Sequence, residues 1–230
     1  MSSRIAENLA DVRRRIEVAC ARSSRSLSSV RLVAITKTVP APAIRELVVA
    51  GHRLVGENRI QEALPKMDEL GTAADWHFVG HLQTNKVRLA AGRFALIHGV
   101  DSVRLGREIA SLAERAAERQ AVLLQVNVSG EPSKFGVAER DVLPLLEALA
   151  REERLELQGL MTIPPPVERP EESRRWFARL RDLRDACSRT TGLALGELSM
   201  GMTDDFEVAI EEGATLVRIG RALFGARGVE

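Results

Sequence analysis

The feature that most constrains this sequence of 230 residues is a regular alternation of short apolar runs with longer amphipathic stretches. The apolar runs have the length of buried strands, and the stretches between them repeat apolar residues at three- and four-residue steps, as helices do. Such alternation predicts parallel strands joined by right-handed crossovers. We expect eight strands, which begin at Arg31, Arg53, Asp75, Phe94, Ala121, Leu155, Glu197 and Leu216.

Eight strands in a chain of this length, without a linker, predict an α/β fold: a single-domain TIM-like (β/α)8 barrel over residues 1–230. An extra N-terminal helix is expected over Ser2–Arg22. A doubly wound open sheet is the alternative, but no Gly-x-Gly-x-x-Gly follows the first strand. Polar residues also collect at the expected carboxyl ends of the strands, where TIM barrels have their active sites. These residues are Lys37, Asn58, His81, Asn127, Ser199 and Arg218.

Charge and hydropathy exclude several classes of protein. Lys and Arg number 33 against 32 Asp and Glu, so the basic excess that a nucleic-acid binder or a polybasic membrane surface needs is missing. No apolar run approaches the roughly 20 residues of a membrane helix, and the N-terminus is not a secretory signal. Two distant cysteines, Cys20 and Cys187, favour a reduced, cytoplasmic setting. Cysteines and histidines have no metal-binding spacing, so we expect no metal site.

Lys37 is the most informative single residue. It ends an otherwise apolar strand, and two-residue alternation places it on the same face as Val33 and Ile35. A lysine at a barrel mouth is partly desolvated, which lowers the pKa of its amine and makes it a nucleophile that condenses with aldehydes. The alternative is a lysine whose stem packs while its ammonium reaches solvent.

The loops after the seventh and eighth expected strands have the character of a phosphate site. Gly201 and Gly220 allow close approach of the backbone to an anion, while Ser199 and Thr203 offer hydroxyl donors. TIM barrels commonly bind phosphate there, with a short helix following. Ordinary turn chemistry is the alternative. An aldehyde-trapping lysine opposite a phosphate cradle points to a ligand with both groups, of which pyridoxal 5′-phosphate (PLP) is the obvious one.

Three further residues have two interpretations each. Arg218 lies between apolar neighbours, so it could face a pyridine nitrogen and keep it unprotonated, or form an ion pair with Glu57. Asn58 could donate to a phenolate oxygen of the ligand or cap the next helix. His81 could be a hydrogen-bonded cap or a catalytic group.

Seven segments, in this order, resemble the pyridoxal phosphate homeostasis family, which is related to the alanine racemase N-terminal domain. The resemblance covers about Ile5 to Gly225. Its motifs are VAITKTVP, VGENRIQEA, WHFVGHLQTNKV, VNVSGEPSKFG, GLMTIP, LSMGMTDDFEVAI and VRIGRALFG.

The resemblance implies PLP bound as an aldimine to Lys37, Arg218 at the pyridine nitrogen and Asn58 near the cofactor. Two positions depart from the family pattern: Thr203 stands where serine is common, and Arg221 where a small or hydroxyl residue is common. The implied phosphate contacts come from Ser199, Met200 or Gly201, Gly220 and Arg221, with Thr203 keeping the hydroxyl of its position.

By the same resemblance we expect a non-catalytic, monomeric PLP carrier that buffers PLP or transfers it to PLP-dependent apo-enzymes. The related racemases use a tyrosine on a second domain, and this sequence contains no tyrosine. The alternative is a PLP-dependent racemase or decarboxylase that uses Lys37 with His81 or water. A Schiff-base aldolase acting on a sugar phosphate is a third, disfavoured possibility.

Overall fold

Eight parallel strands close into a barrel in the computed structural model, which describes residues 3–225. The strand order is β4-β3-β2-β1-β9-β8-β7-β5, and pairing of β4 with β5 completes the circle. The eight-stranded barrel is therefore confirmed. A short additional strand, β6, pairs with the end of β5 outside the barrel. The strands are β1 (Arg31–Ile35), β2 (Leu54–Glu57), β3 (Asp75–Phe78), β4 (Leu96–Val100), β5 (Gln120–Asn127), β6 (Val137–Ala138), β7 (Leu155–Met161), β8 (Glu197–Ser199) and β9 (Leu216–Ile219).

Helices surround the barrel, and the first of them is the expected extra N-terminal helix. It begins after Ser3, whose hydroxyl accepts a hydrogen bond from the Ala6 N–H and so caps the helix. The predicted first helical residue, Ser2, and the predicted domain limits, 1 and 230, lie outside the described residues. The α-helices are α1 (Arg4–Arg22), α2 (Ala41–Val49), α3 (Ile60–Leu70), α4 (Val87–Ala90), α5 (Val103–Arg115), α6 (Glu139–Leu149), α7 (Arg174–Thr191), α8 (Phe206–Glu211) and α9 (Arg221–Phe224).

Two apolar cores follow from the two-residue alternation of the strands. The larger core lies between the strands and the helices, and it includes the outward-facing Leu32 and Ala34 of β1. The smaller one fills the barrel, where Val33 meets inward-facing residues of other strands. Burial of each such side chain stabilises the fold by about 1.5–3 kcal/mol. The inner cluster consists of Val33, Val79, Leu96, Leu123, Met161 and Leu216.

Several predicted boundaries are wrong by a few residues. Strand β1 ends at Ile35, so Lys37 lies in the turn beyond the strand and not at its end. The apolar periodicity predicts a helix over 103–120, but helix α5 stops at Arg115, because Ala117 has a left-handed φ of 56°. The sequence predicts a helix over 204–212, but helix α8 begins at Phe206, because the Asp205 carboxylate accepts a hydrogen bond from the Met202 N–H in the turn before it.

Both cysteines lie buried on helices, Cys20 on α1 and Cys187 on α7, and neither is in a disulfide. Within residues 3–225 no helix is long and apolar enough to span a membrane.

Candidate functional site

The strand register brings Lys37 close to the other expected site residues at the barrel mouth. Strand β1 lies between β2 and β9. Ile35 is in register with Gly56, and Ala34 is in register with Ile219. Lys37 is half-buried two residues beyond its strand, whereas Asn58 is the first residue beyond β2. The chain segments that leave these three strands are therefore neighbours.

Helix α3 holds the backbone on both sides of Lys37. The Thr38 N–H donates to Oε2 of Glu62 at 3.1 Å, and the Lys66 ammonium donates to the Thr36 carbonyl at 2.8 Å. Thr38 also has a φ of 62°, a left-handed conformation that costs energy for a β-branched residue. The backbone turn that presents Lys37 is thus fixed by side chains of a neighbouring helix.

Glu57 is entirely buried, but it does not pair with Arg218. Its Oε1 accepts from the Lys66 ammonium at 2.6 Å and from the Thr36 hydroxyl at 2.8 Å. Its Oε2 has no hydrogen-bond partner among the described residues. The interpretation of Arg218 as the ion-pair partner of Glu57 is therefore wrong, because a lysine of α3 takes that place.

Arg218 is 4% exposed and points into the barrel. It donates to Oγ of Ser199 at 2.6 Å and to the Thr162 carbonyl at 2.8 Å. Burial lowers the pKa of Arg218 to about 10, and Asp205 opposes that shift, so the guanidinium stays charged at neutral pH. These two bonds use two of its five N–H donors, which leaves capacity for a ligand.

Asn58 does not cap the helix that follows it. Helix α3 starts at Ile60, its N-cap position is Arg59, and no side chain caps it. The Asn58 Oδ1 atom is buried without a hydrogen-bond partner among the described residues. A buried polar atom without a partner is costly, so this amide is suited to a polar ligand.

The loops after β8 and β9 lie side by side, because the Arg218 N–H donates to the Gly201 carbonyl at 3.0 Å. Gly201 has a φ of +88°, and a Cβ there would lie 2.5 Å from the Cβ of Ala209. Only glycine fits this position. Helix α9 begins immediately after Gly220, and the first N–H groups of a helix have no partner inside it. A loop packed closely against α8 and a helix start with free N–H groups thus meet at the mouth.

The expected roles of three residues in this cradle need correction or refinement. The Ser199 hydroxyl is fully buried and already bonded to Arg218 and to Nδ1 of His98, so it is not a free phosphate donor. The Met200 N–H donates to the Leu216 carbonyl at 3.1 Å and is likewise occupied. The Arg221 guanidinium pairs with Asp204 and so links the two loops at their exposed rim. Thr203 lies half-buried in the loop after β8.

Two histidines that are far apart in the sequence, His77 and His98, meet inside the barrel. Nδ1 of His77 lies 3.0 Å from Nε2 of His98, and both rings are buried. They stand on the neighbouring strands β3 and β4, and two-residue alternation places both side chains on the inward face. This pairing could therefore have been predicted from the sequence. His81 lies at the mouth instead, with Nδ1 3.5 Å from Oδ2 of Asp101 and its ring stacked on Phe135 at 4.1 Å.

A cavity of about 740 Å³ adjoins the loop after β8. The loop after β7, with its three prolines, and the segment 202–205 form most of its wall, and Lys134 also lines it. Lys37 and Asn58 are not among its lining residues. In the part of the chain described, no group of three or more His, Cys, Asp or Glu side chains could hold a metal ion.

The fold and the mouth together define a barrel of the alanine racemase type. The family model for the alanine racemase N-terminal domain matches residues 4–228. Alanine racemase from Corynebacterium glutamicum has the same fold, with a TM-score of 0.72 at 18% identity over 99% of this chain and 62% of its own.

Full-length relatives narrow the assignment. The pyridoxal phosphate homeostasis protein of Aquifex aeolicus is 46% identical, covering 96% of this chain and 97% of its own. That of Escherichia coli K12 is 42% identical, covering 97% of each. The structure of PipY from Synechococcus elongatus with PLP bound has a TM-score of 0.85 and 38% identity, covering 96% of this chain and 100% of that one. The chain belongs to the pyridoxal phosphate homeostasis family.

Proposed function

We propose that this chain binds PLP covalently and reversibly through Lys37 and holds it for buffering or for transfer to PLP-dependent apo-enzymes. The observation that carries the proposal is the strand register, which gathers Lys37, Asn58, Arg218 and the two glycine loops at one mouth. A relative with PLP bound supports it. We also propose that the protein acts in the cytoplasm as a monomer.

The residues present fit the cofactor. When bound, PLP supplies an electrophilic aldehyde, a pyridine ring and a phosphate. Lys37 would hold the aldehyde carbon through its amine, and the side-chain amide of Asn58, whose Oδ1 is buried without a partner among the described residues, would bond the polar edge of the ring. Arg218 donates to the ring nitrogen and, with a pKa of about 10, keeps its own proton. The ring nitrogen therefore stays unprotonated, which weakens the electron sink that amino-acid chemistry requires.

The phosphate is assigned to backbone N–H groups of the loops after β8 and β9. Gly201 and Gly220 contribute their backbone N–H groups, and Arg221 contributes its N–H at the start of α9. Thr203 adds its hydroxyl from the half-buried loop. Met200 contributes by packing its buried side chain beneath the loop, because its N–H is occupied.

A carrier role is favoured because the cofactor would meet few acid–base groups. The 230 residues contain no tyrosine. Lys37 is therefore left to attach and release PLP, and the chain releases it to free amines or to apo-enzymes.

The second candidate is a PLP-dependent racemase or decarboxylase, and one contact favours it. The His81 imidazole lies 3.5 Å from Asp101 at the mouth, and burial raises the pKa of that carboxyl. Such a pair could move a proton. A panel of amino acids incubated with the PLP-loaded protein decides between the candidates. Turnover that disappears in Lys37→Ala supports the enzyme, and turnover no faster than with free PLP supports the carrier.

Titration with PLP, followed by visible absorption, tests the proposed binding. We expect wild type and Lys86→Ala to develop a yellow band and Lys37→Ala to develop none. Lys86 is the control because it is a half-buried lysine like Lys37, on the short helical turn Thr84–Lys86 and not on the segments that carry Lys37, Asn58 or the glycine loops. Pyridoxal without phosphate should bind about tenfold or more weakly, since charge-assisted hydrogen bonds are lost. An unchanged band in Lys37→Ala contradicts the proposal.

A further inference from the structure

A chain of buried side chains leads from Arg218 across the inside of the barrel. Arg218 on β9 donates to Oγ of Ser199 on β8 at 2.6 Å. That hydroxyl lies 2.8 Å from Nδ1 of His98 on β4, and Nε2 of His98 lies 3.0 Å from Nδ1 of His77 on β3. None of the four residues is more than 4% exposed. Apolar residues of the inner cluster otherwise fill this space, so the four form a polar path through an apolar interior.

The protons along this path can be placed by elimination. A guanidinium can only donate, so Ser199 must accept from Arg218. The Ser199 hydroxyl has a second lone pair, but its single proton has no other acceptor among the described residues, so this buried group donates it to Nδ1 of His98. His98 in its neutral form then carries its proton on Nε2, and it donates to Nδ1 of His77. His77 therefore carries its own proton on Nε2.

The electrostatic surroundings agree with two neutral rings. Burial lowers the pKa of His77 to about 4, with Arg31 adding to the shift and Asp75 opposing it. The pKa of His98 is also lowered, first by burial and then by His77 and Arg218. A charged His98 would donate at both nitrogens, so Ser199 would lose its acceptor and Arg218 would face a second cation.

We propose that Ser199 and His98 are positioning residues for Arg218, and that the one-way hydrogen-bond path through His77 fixes the guanidinium in the orientation that faces the cofactor ring. Ser199 thereby serves the pyridine end of the site and not the phosphate. Only the statement that Arg218 faces the cofactor ring rests on the proposed function. The path itself belongs to the protein without ligand.

Nitrogen NMR of the unliganded protein tests the path without reference to PLP. Long-range ¹⁵N–¹H spectra at neutral pH should show both His77 and His98 as the Nε2–H tautomer. In Ser199→Ala, Nδ1 of His98 loses its donor, and the spectrum should move towards a mixture of tautomers. A Nδ1–H or charged His98 in wild type overturns the proposal, whether or not PLP binds.

A matched pair of variants at His98 tests the positioning of Arg218 in the PLP-loaded protein. His98→Asn keeps an acceptor near the place of Nδ1, whereas His98→Leu has a similar shape and no acceptor. We expect the pH midpoint of the bound chromophore to move by about one unit in His98→Leu and Ser199→Ala, and to return towards wild type in His98→Asn. Equal midpoints in all four proteins overturn the proposal. If His98→Leu does not fold, the pH midpoint of the chromophore in Ser199→Ala is compared with that in His98→Asn instead.

Discussion

Replacement of Gly201 by alanine probes the loop on which the proposed phosphate site depends. The new Cβ would lie 2.5 Å from the Cβ of Ala209 and 3.0 Å from the Cα of Phe206, both on a packed helix. A left-handed conformation costs a non-glycine residue about 1–2 kcal/mol, and overpacking typically costs a further 1–3 kcal/mol. We therefore expect Gly201→Ala to lower the free energy of unfolding by about 2–5 kcal/mol.

Two other glycines separate these contributions. Gly192 ends α7 with a φ of +73° and has no atom within 4 Å of an added Cβ, so Gly192→Ala should show only the backbone cost of about 1–2 kcal/mol. Gly196 also has open space, without a left-handed φ, so its alanine variant should be close to wild type.

Urea unfolding of the three variants, followed by PLP titration of those that fold, is the assay. We expect the loss of stability to follow the order Gly201, Gly192, Gly196. PLP affinity should fall about tenfold or more in Gly201→Ala only, because the displaced loop carries the phosphate contacts. If Gly201→Ala has the same stability and the same PLP affinity as Gly192→Ala, the close packing of Gly201 against α8 is refuted.

Three more predictions concern charges. Lys66→Met should lower the free energy of unfolding, measured in urea, by about 3–5 kcal/mol, because it leaves the Glu57 carboxylate buried and without its charged partner. A loss of stability no larger than that caused by replacing an exposed lysine contradicts this. Acidification from pH 6.5 to 4 should lower the free energy of unfolding of wild type more than that of His77→Asn, by up to about 3 kcal/mol. The reason is that His77 binds a proton in the unfolded chain at this pH, whereas its lowered pKa keeps it neutral in the folded protein. Parallel curves of stability against pH for the two proteins contradict this. Arg221→Ala should change PLP affinity by less than about fivefold in the absorption titration, because the ion pair of Arg221 with Asp204 is exposed. A larger loss of affinity would mean that the Arg221 side chain binds the phosphate.

The barrel could be predicted because each strand carries its own local signal. Apolar runs of strand length, separated by helical periodicity, are properties of neighbouring residues, and parallel pairing follows from the connections between them. Even so, β6 was missed, because Val137–Ala138 is too short to show any alternation. The ends of β1 and α5 depended on single left-handed residues, Thr38 and Ala117, which no propensity predicts.

The sequence predicts which strand ends meet at the mouth, but not the contacts of the residues there. Lys37, Asn58 and Arg218 follow from strand ends and from the resemblance, and the register brings them together. The partners of Arg218 did not follow, because Ser199 and Thr162 reach it from other strands. Such pairings depend on how the barrel closes, which is a property of the whole chain.

Glu57 illustrates the same limit. Its position at the end of β2 made it a plausible partner for Arg218, yet the structure pairs it with Lys66, nine residues along the chain on α3. The pattern of α3 places Lys66 on a helix, but only the packing of that helix against the mouth turns its ammonium inward. The histidine path was missed for a similar reason, since His77 and His98 are separated by a helix and meet only across two strands.

Reduction with borohydride after PLP loading, followed by digestion and peptide mass mapping, tests the central claim most directly. The chain has only four lysines, Lys37, Lys66, Lys86 and Lys134, so the attachment point can be read without ambiguity. We predict a stoichiometric pyridoxyl label on the peptide that contains Lys37, and its loss in Lys37→Ala. A label found chiefly on another lysine, or undiminished in Lys37→Ala, would contradict the account.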